Sequence, residues 1–237
     1  MEEKMNSLNK TARGAGILYI IMAVFQIFSV MVVDTKFYVP GDAVATVSNI
    51  LASEWLFRLG FVINLVGHTL FLFVVLALYN LFNSVDKGQA RLMVILVVAS
   101  VPVAFLNTLN QYAPILLLSG AGHLSAFNPA QLQTLSMVFL DMYKHGIQIA
   151  EIFWGLWLIP LGILVYKSRF VPKVLGVLLI VGCFGHLISF LSIFLFPGYS
   201  TILTPIGDTV MLAELPIFFW LLIKGVKDQR QTTTEEV

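Results

Sequence analysis

The chain has 237 residues, of which 58% are apolar and only 11% are charged, and its formal net charge is +1. This composition lies outside the range of soluble globular domains and predicts a multi-span membrane protein. A chain with so little net positive charge is predicted to have no nucleic-acid partner. The single cysteine, Cys183, excludes an internal disulfide.

Six apolar segments follow one another, each long enough to cross a hydrocarbon core of about 30 Å as a helix. They cover residues 14–33, 58–82, 92–113, 137–166, 173–196 and 206–224. Because only helices satisfy their own backbone in lipid and no barrel-type alternation is visible, we predict an all-α polytopic membrane protein with six transmembrane helices in one bundle. The first segment is interpreted as a retained span, since no small-residue cleavage site follows it.

The predicted organisation has three parts: a cytoplasmic segment at residues 1–13, a transmembrane domain at residues 14–226, and a polar, disordered cytoplasmic tail at residues 227–237. Basic side chains set the orientation because they are enriched in cytoplasmic loops. Eleven of the fourteen lie on one predicted side: Lys4, Lys10, Arg13, Lys87, Arg91, Lys167, Arg169, Lys173, Lys224, Lys227 and Arg230. Both termini are therefore predicted to be cytoplasmic.

Two outer connections carry helix-start signals. Pro40-Gly41-Asp42 predicts a turn, with Asp42 capping a helix that runs on into the second span. Asn128 and Pro129 suit the cap and first position of a helix that leads into the fourth span. Pro160 and Pro216, inside the fourth and sixth spans, each remove a backbone hydrogen bond and predict kinks.

A stripe of five polar side chains lies within the fourth span. Asp141, Lys144, His145, Gln148 and Glu151 recur at steps of three or four, so on a helix they share an arc of about 120°. Asp141 and Lys144 are predicted to lie at the outer interface. Glu151, with Gln148 and His145 near it, is predicted to lie deeper in the membrane.

Other spans place polar groups at a similar depth. Counting about 1.5 Å per residue from the cytoplasmic ends, we find six of them about 15–23 Å from the inner face: Gln26, His68, Asn107, Glu151, His186 and Glu214. Since polar groups within spans usually face a bundle interior, we predict an outward-facing polar cavity that binds or passes a small molecule or lipid headgroup. The predicted ligand-binding residues are Glu151, His145, Gln148, His68, Asn64, Asn107, His186, Glu214, Gln26 and Arg58.

Arg58 has two interpretations. Glu54 precedes it by four residues, which favours an ion pair along one helix. Alternatively, Arg58 reaches Asp141 or Glu151 at the mouth of the cavity, or receives an anionic headgroup or carboxylate.

Two further functions are open from the sequence. His68, His186, Glu151 and Glu214 could together hold a zinc-type metal ion, and metal-bound water or a serine such as Ser100, Ser189 or Ser192 could hydrolyse a lipid. In the other alternative the polar groups only hold helices together, or the protein binds a partner. The first, non-enzymatic interpretation is favoured. Both a monomer and a homodimer are compatible with six spans.

Several segments resemble a known family. They are ARGAGILY (12–19), VPGDAVATVSNILASEWLFRLGF (39–61), LLLSG (116–120), IFWGLWLIPLGILVYKS (152–168) and VPKVLGVLLIVG (171–182). In order and spacing they resemble the bacterial integral-membrane family catalogued as domain of unknown function 4386, from about residue 12 to residue 225. The resemblance implies a bacterial cell-membrane protein with this span layout, and it implies no reaction or ligand.

Overall fold

The structure is a computed structural model that describes the backbone of residues 2–226, together with their side chains apart from those of residues 2–5 and Asp34. The predicted disordered tail at residues 227–237, including Lys227 and Arg230, lies outside this range. The described residues are mostly helical and contain no β-strand. The all-α prediction is confirmed.

Nine α-helices follow one another in residues 2–226. They are α1 (Glu2–Met31), α2 (Ala43–Ala52), α3 (Glu54–Phe82), α4 (Lys87–Leu117), α5 (Pro129–Leu156), α6 (Leu158–Ser168), α7 (Lys173–Phe194), α8 (Ser200–Met211) and α9 (Leu215–Ile223). Six helical segments are long and apolar enough to cross a membrane: Asn6–Phe37, Glu54–Phe82, Lys87–Leu117, Pro129–Ser168, Lys173–Phe194 and Pro197–Ile223. They overlap all six predicted spans.

Both predicted helix caps are present. The Asp42 carboxylate accepts the Ala45 N–H at 2.9 Å at the start of α2. Asn128 Oδ1 accepts the Gln131 N–H at 3.0 Å, and Gln131 Oε1 accepts the Asn128 N–H at 2.9 Å, which is a reciprocal capping box. The predicted continuous helix after Asp42 is interrupted, because α2 ends one residue before Ser53 and α3 begins one residue after it.

The two span prolines coincide with breaks in their helices. Pro160 would place its ring against the carbonyl of Leu156, four residues earlier, and α5 ends at that residue before α6 begins. Pro216 has Leu212 at the same offset, and a short 3₁₀ turn at Leu212–Glu214 separates α8 from α9. Both helices are thus interrupted at the positions where the sequence predicts kinks.

The chain divides into two compact units. Unit 1 comprises the described residues of Met1–Ile20, Leu70–Val101 and Gln148–Val237, and unit 2 comprises Ile21–Thr69 and Pro102–Ile147.

Glycines set the helix contacts of unit 1. A β-carbon added at Gly162 on α6 would lie 2.6 Å from the Gly176 carbonyl oxygen on α7. One added at Gly185 on α7 would lie 2.5 Å from the Met211 N and 2.7 Å from the Gly207 carbonyl oxygen, both on α8. Such close approach of backbones is the packing mode of transmembrane helices, in which small residues replace hydrophobic driving force.

Unit 2 has an aromatic and aliphatic core. Its fully or nearly fully buried members are Phe37, Ile50, Phe57, Ile115 and Leu140. The rings of Phe37 and Phe57 meet edge to face, with centroids 5.2 Å apart. This edge-to-face geometry is the favoured arrangement of aromatic pairs, and it joins α3 to the segment that follows α1.

Large apolar side chains also cover the exterior of both units. Ile95 is 62% exposed, Leu106 68% and Phe184 57%. Water-soluble proteins rarely expose apolar side chains in this density. The exposed surface is therefore suited to a lipid bilayer.

Asp86 caps α4 and pairs with Lys167. Its carboxylate accepts the Gln89 N–H at 3.1 Å and the Lys167 ammonium at 2.8 Å. The Lys167 hydrogen bond, followed by that from the Gln89 backbone, lowers the pKa of the Asp86 carboxyl below its usual 3.8. Because the folded pKa is the lower one, this stabilisation is complete above the usual pKa and is lost as the pH falls through the folded value.

We therefore expect Asp86→Asn, which keeps a capping side chain, to lower the melting temperature at pH 6. The difference from wild type should shrink as the pH falls below about 4. Melting curves in detergent between pH 3 and 7 measure this difference. A difference that is constant over the whole range would contradict the ion pair.

Candidate functional site

Unit 1 brings a tyrosine, a histidine and three carboxyl groups together. Tyr19 on α1 donates its hydroxyl hydrogen to Glu214 Oε1 at 2.7 Å. The other carboxylate oxygen of Glu214 lies 3.9 Å from His186 Nε2 on α7, which is too long for a hydrogen bond. Neither ring nitrogen of His186 has a hydrogen-bond partner, although the side chain is buried.

Glu151 on α5 is the most unusual member of this cluster. It is only 7% exposed, and its Oε2 atom has no hydrogen-bond donor. Gln148 lies one turn earlier on α5, and its Oε1 atom is also buried without a donor. Asp208 on α8 and Glu151 on α5 both lie beside α7, because Asp208 accepts a hydrogen bond from Ser189 and Glu151 is one turn from the contact of Gly155 with His186. We call Glu151, Asp208, Glu214, His186, Gln148 and Tyr19 the acidic cluster.

Glycines bring the helices of the cluster together. A β-carbon at Gly155, one turn after Glu151, would lie 2.9 Å from His186 Cβ, so α5 and α7 touch next to both side chains. On α8, Gly207 packs against Ser189 and the Gly185 carbonyl of α7. The next residue, Asp208, accepts a hydrogen bond from Ser189 Oγ at 3.2 Å. The acidic cluster therefore depends on close backbone packing.

An aromatic stack supports the Tyr19 side of the cluster. The Tyr19 and Phe218 rings are parallel, with centroids 3.3 Å apart. The ring centroids of Trp157 and Phe218 are 6.4 Å apart, and the Phe71 ring meets the Trp157 ring edge to face with centroids 5.0 Å apart. All four rings are buried. The stack fixes the Tyr19 ring so that its hydroxyl group points to Glu214.

Unit 2 contains a second, largely uncharged polar cluster. Asn64 on α3 donates an amide hydrogen to the hydroxyl group of Tyr143. Asn107 on α4 donates to the Tyr143 carbonyl oxygen at 2.8 Å. The side chain of Asn107 occupies the place where a β-carbon of Gly146 would be, which explains why this helix has glycine there. These contacts join α3, α4 and α5 within unit 2.

His68 and Gln111 extend this second cluster. His68 Nδ1 lies 3.1 Å from Gln26 Nε2, so α1 and α3 share a hydrogen bond. Gln111 on α4 is fully buried, and neither atom of its amide group has a hydrogen-bond partner. A buried amide without partners is costly. The second cluster thus consists of amide, hydroxyl and imidazole groups and contains no carboxylate.

The charged residues predicted for the outer interface have local partners. Arg58 lies 2.6 Å from Glu54 and donates to the Tyr112 hydroxyl oxygen at 2.7 Å, which confirms the predicted helix ion pair. Asp141 accepts the Tyr38 hydroxyl hydrogen at 2.6 Å, and the Lys144 ammonium lies 3.6 Å from the centroid of the same ring.

His145 is placed differently from the rest of its stripe. It is exposed, and its Nδ1 atom lies 2.7 Å from the Asp141 carbonyl oxygen of its own helix. Tyr143 is the buried residue at this level of α5. The stripe from Asp141 to Glu151 is therefore divided between several environments.

The ten predicted site residues fall into both units. Unit 1 holds Glu151, Gln148, His186 and Glu214, and unit 2 holds His68, Asn64, Asn107, Gln26, Arg58 and His145. Tyr19, Asp208, Tyr143 and Gln111 also belong to the two clusters, although the predicted ligand-binding set does not include them. All four are polar residues inside predicted spans, which was the only available signal. Their partners are distant in sequence, as Tyr19 and Glu214 illustrate.

The residues of the hydrolytic alternative have the following contacts in the structure. Among the side chains described from residue 6 to residue 226, no three His, Cys, Asp or Glu residues are grouped so that they could hold a metal ion. The zinc-type site stays a prediction. Ser100 and Ser192 donate to carbonyl oxygens of their own helices, and Ser189 donates to Asp208.

Comparisons with known proteins identify a family and supply no activity. The model of a family described as a domain of unknown function (DUF4386) matches residues 14–225. An uncharacterised protein of Archaeoglobus fulgidus is 38% identical over 88 residues, which are 37% of this chain and 51% of the relative. The chain thus spans about half the length of this curated relative, which is archaeal. No solved structure matches the chain.

Proposed function

The chain belongs to the DUF4386 family, and from this premise we propose that it is an integral membrane protein that binds or passes a small polar molecule at the acidic cluster. One observation carries the proposal. Glu151 is buried in an apolar segment and has a carboxylate oxygen without a donor.

Burying an ionisable side chain in a membrane span has a free-energy cost. An ionisable side chain inside a membrane costs at least about 2.5–3.5 kcal/mol, and a buried polar atom without a partner adds about 1–3 kcal/mol. A purely structural role would favour replacing Glu151 by a residue that packs without this cost. A ligand that contacts the carboxylate explains why a glutamate is found there.

We also propose the orientation and location predicted from the sequence. Basic residues lie at both ends of the chain, between spans two and three, and between spans four and five, and they support cytoplasmic termini. The family resemblance supports a bacterial cell membrane. With this orientation the depth of Glu151 supports a cavity that opens to the outside.

Labelling of a Ser125→Cys variant by an impermeant maleimide in intact cells checks the orientation, and protection of that cysteine would contradict it.

The binding proposal is tested by thermal melting of the purified protein in detergent. Acetate, acetamide and methylammonium chloride serve as small anionic, neutral and cationic solutes of similar size. A solute that binds only the folded state raises its stability, by about 2.7 kcal/mol at a hundred times its dissociation constant. We expect at least one solute to raise the melting temperature of wild type and not that of Glu151→Gln.

Glu54→Gln is the matched control, because Glu54 is 44% exposed and pairs with Arg58. This variant should respond to the solute as wild type does. A wild-type protein that responds to none of the three solutes, or a Glu151→Gln variant that responds equally, would contradict the proposed function.

A further inference from the structure

The acidic cluster has more hydrogen-bond acceptors than donors. Three carboxyl groups and the Gln148 carbonyl oxygen belong to this cluster in unit 1. Only two donors to the carboxyl groups are observed, from Tyr19 to Glu214 and from Ser189 to Asp208. Within residues 6–226, no lysine or arginine forms an ion pair with any of the three acids. Apart from His186, which can carry a proton and lies 3.9 Å from Glu214, the cluster contains no positively charged hydrogen-bond donor among the described side chains.

We propose that the acidic cluster recognises an ammonium group, so that the small molecule of the proposed function is a primary amine in its cationic form. This inference rests on the proposed function and specifies its ligand class. Glu151 would accept one N–H hydrogen at its unpartnered Oε2 atom, and Gln148 would accept a second at its unpartnered Oε1 atom.

An ammonium group fits this site better than the other ligand classes. It carries several N–H donors and no acceptor, which complements a surface of unpartnered acceptors. An anion would meet like charge from Glu151, Asp208 and Glu214. A metal ion would need three ligands around one point, and no such group is present among the described side chains.

The exposed fractions of the three acidic side chains indicate the side from which a ligand would enter. Asp208 is exposed, Glu214 is 18% exposed at its side chain, and Glu151 is only 7% exposed. A cation entering from Asp208 would thus meet a carboxylate first and lose its water gradually toward Glu151. Opposite charge at the entrance raises the rate at which a cation is captured.

Isothermal titration of the protein in lipid nanodiscs tests this inference. Methylammonium chloride is the probe, tetramethylammonium chloride has the same charge without N–H donors, and acetamide is neutral. We expect methylammonium to bind more tightly than either, and Glu151→Gln to weaken it at least about thirtyfold, as expected for removal of one partner of a buried charge pair. Asp208→Asn is a second variant with the same expected direction.

The outcomes separate this inference from the proposed function. If acetamide or acetate binds in a way that needs Glu151, the ammonium inference is overturned and the proposed function stands. If tetramethylammonium binds as tightly as methylammonium, N–H recognition is overturned. If no solute binds, both proposals fail.

The source of the ammonium group can be a free amine or a lipid headgroup. Nanodiscs of phosphatidylethanolamine and of phosphatidylglycerol distinguish the two. Weaker methylammonium binding in phosphatidylethanolamine would assign the site to the headgroup, since that lipid competes with its own ammonium group. Equal binding in both lipids would assign it to a free amine.

Discussion

Replacing Gly185 by alanine is expected to destabilise the protein by about 1–3 kcal/mol, the usual range for an overpacked contact. For a chain of this length the loss corresponds to about 2–12 °C in melting temperature. The added β-carbon would lie 2.5 Å from the Met211 N and 2.7 Å from the Gly207 carbonyl oxygen. Both are backbone atoms, so α7 and α8 must move apart.

Gly14→Ala is the control for this prediction. Gly14 also lies in a helix of unit 1, but nothing is within 4 Å of an added β-carbon. Alanine there should leave stability unchanged or raise it by up to about 1 kcal/mol, because it restricts the unfolded chain. Fluorescence-detected melting of the two variants side by side measures the contrast. Equal melting temperatures would contradict the packing of α7 on α8 through glycine.

The fold could be predicted from the sequence because its signals are local. Six apolar segments of sufficient length define the spans, and Asp42 and Asn128 cap the next helix within three residues. Pro160 and Pro216 break their helices through a clash four residues away. Each cap or break depends on residues within about one helical turn, and each span depends on one continuous segment. Tertiary contacts are therefore not needed to predict them.

The candidate site could be predicted only in part because its contacts are long-range. Helical spacing placed Glu151 and Gln148 on one stripe, but it also placed His145 there, which is exposed instead. The partner of Glu214 is Tyr19, 195 positions earlier. Glycine contacts place Glu151 and Asp208 on two helices that both pack against α7, and a periodicity along one helix carries no information about such packing.

Gln148→Lys places an ammonium group inside the acidic cluster and so tests whether this cluster recognises ammonium. Lysine at this position is three residues before Glu151, a spacing at which opposite charges on a helix interact. If the cluster recognises ammonium, the new side chain should act as a built-in ligand. A lysine without such partners inside a membrane segment costs about 2.5–3.5 kcal/mol or more.

Ala150→Lys provides the matched control on the same helix. Ala150 is 1% exposed and lies off the stripe that carries Gln148 and Glu151, so lysine there should lower the melting temperature by about 5–10 °C or prevent folding. Both variants and wild type are melted with and without methylammonium chloride. We predict that Gln148→Lys melts at or above the wild-type temperature and no longer responds to methylammonium. A Gln148→Lys protein that melts as low as Ala150→Lys, or that still responds as wild type does, would contradict the account.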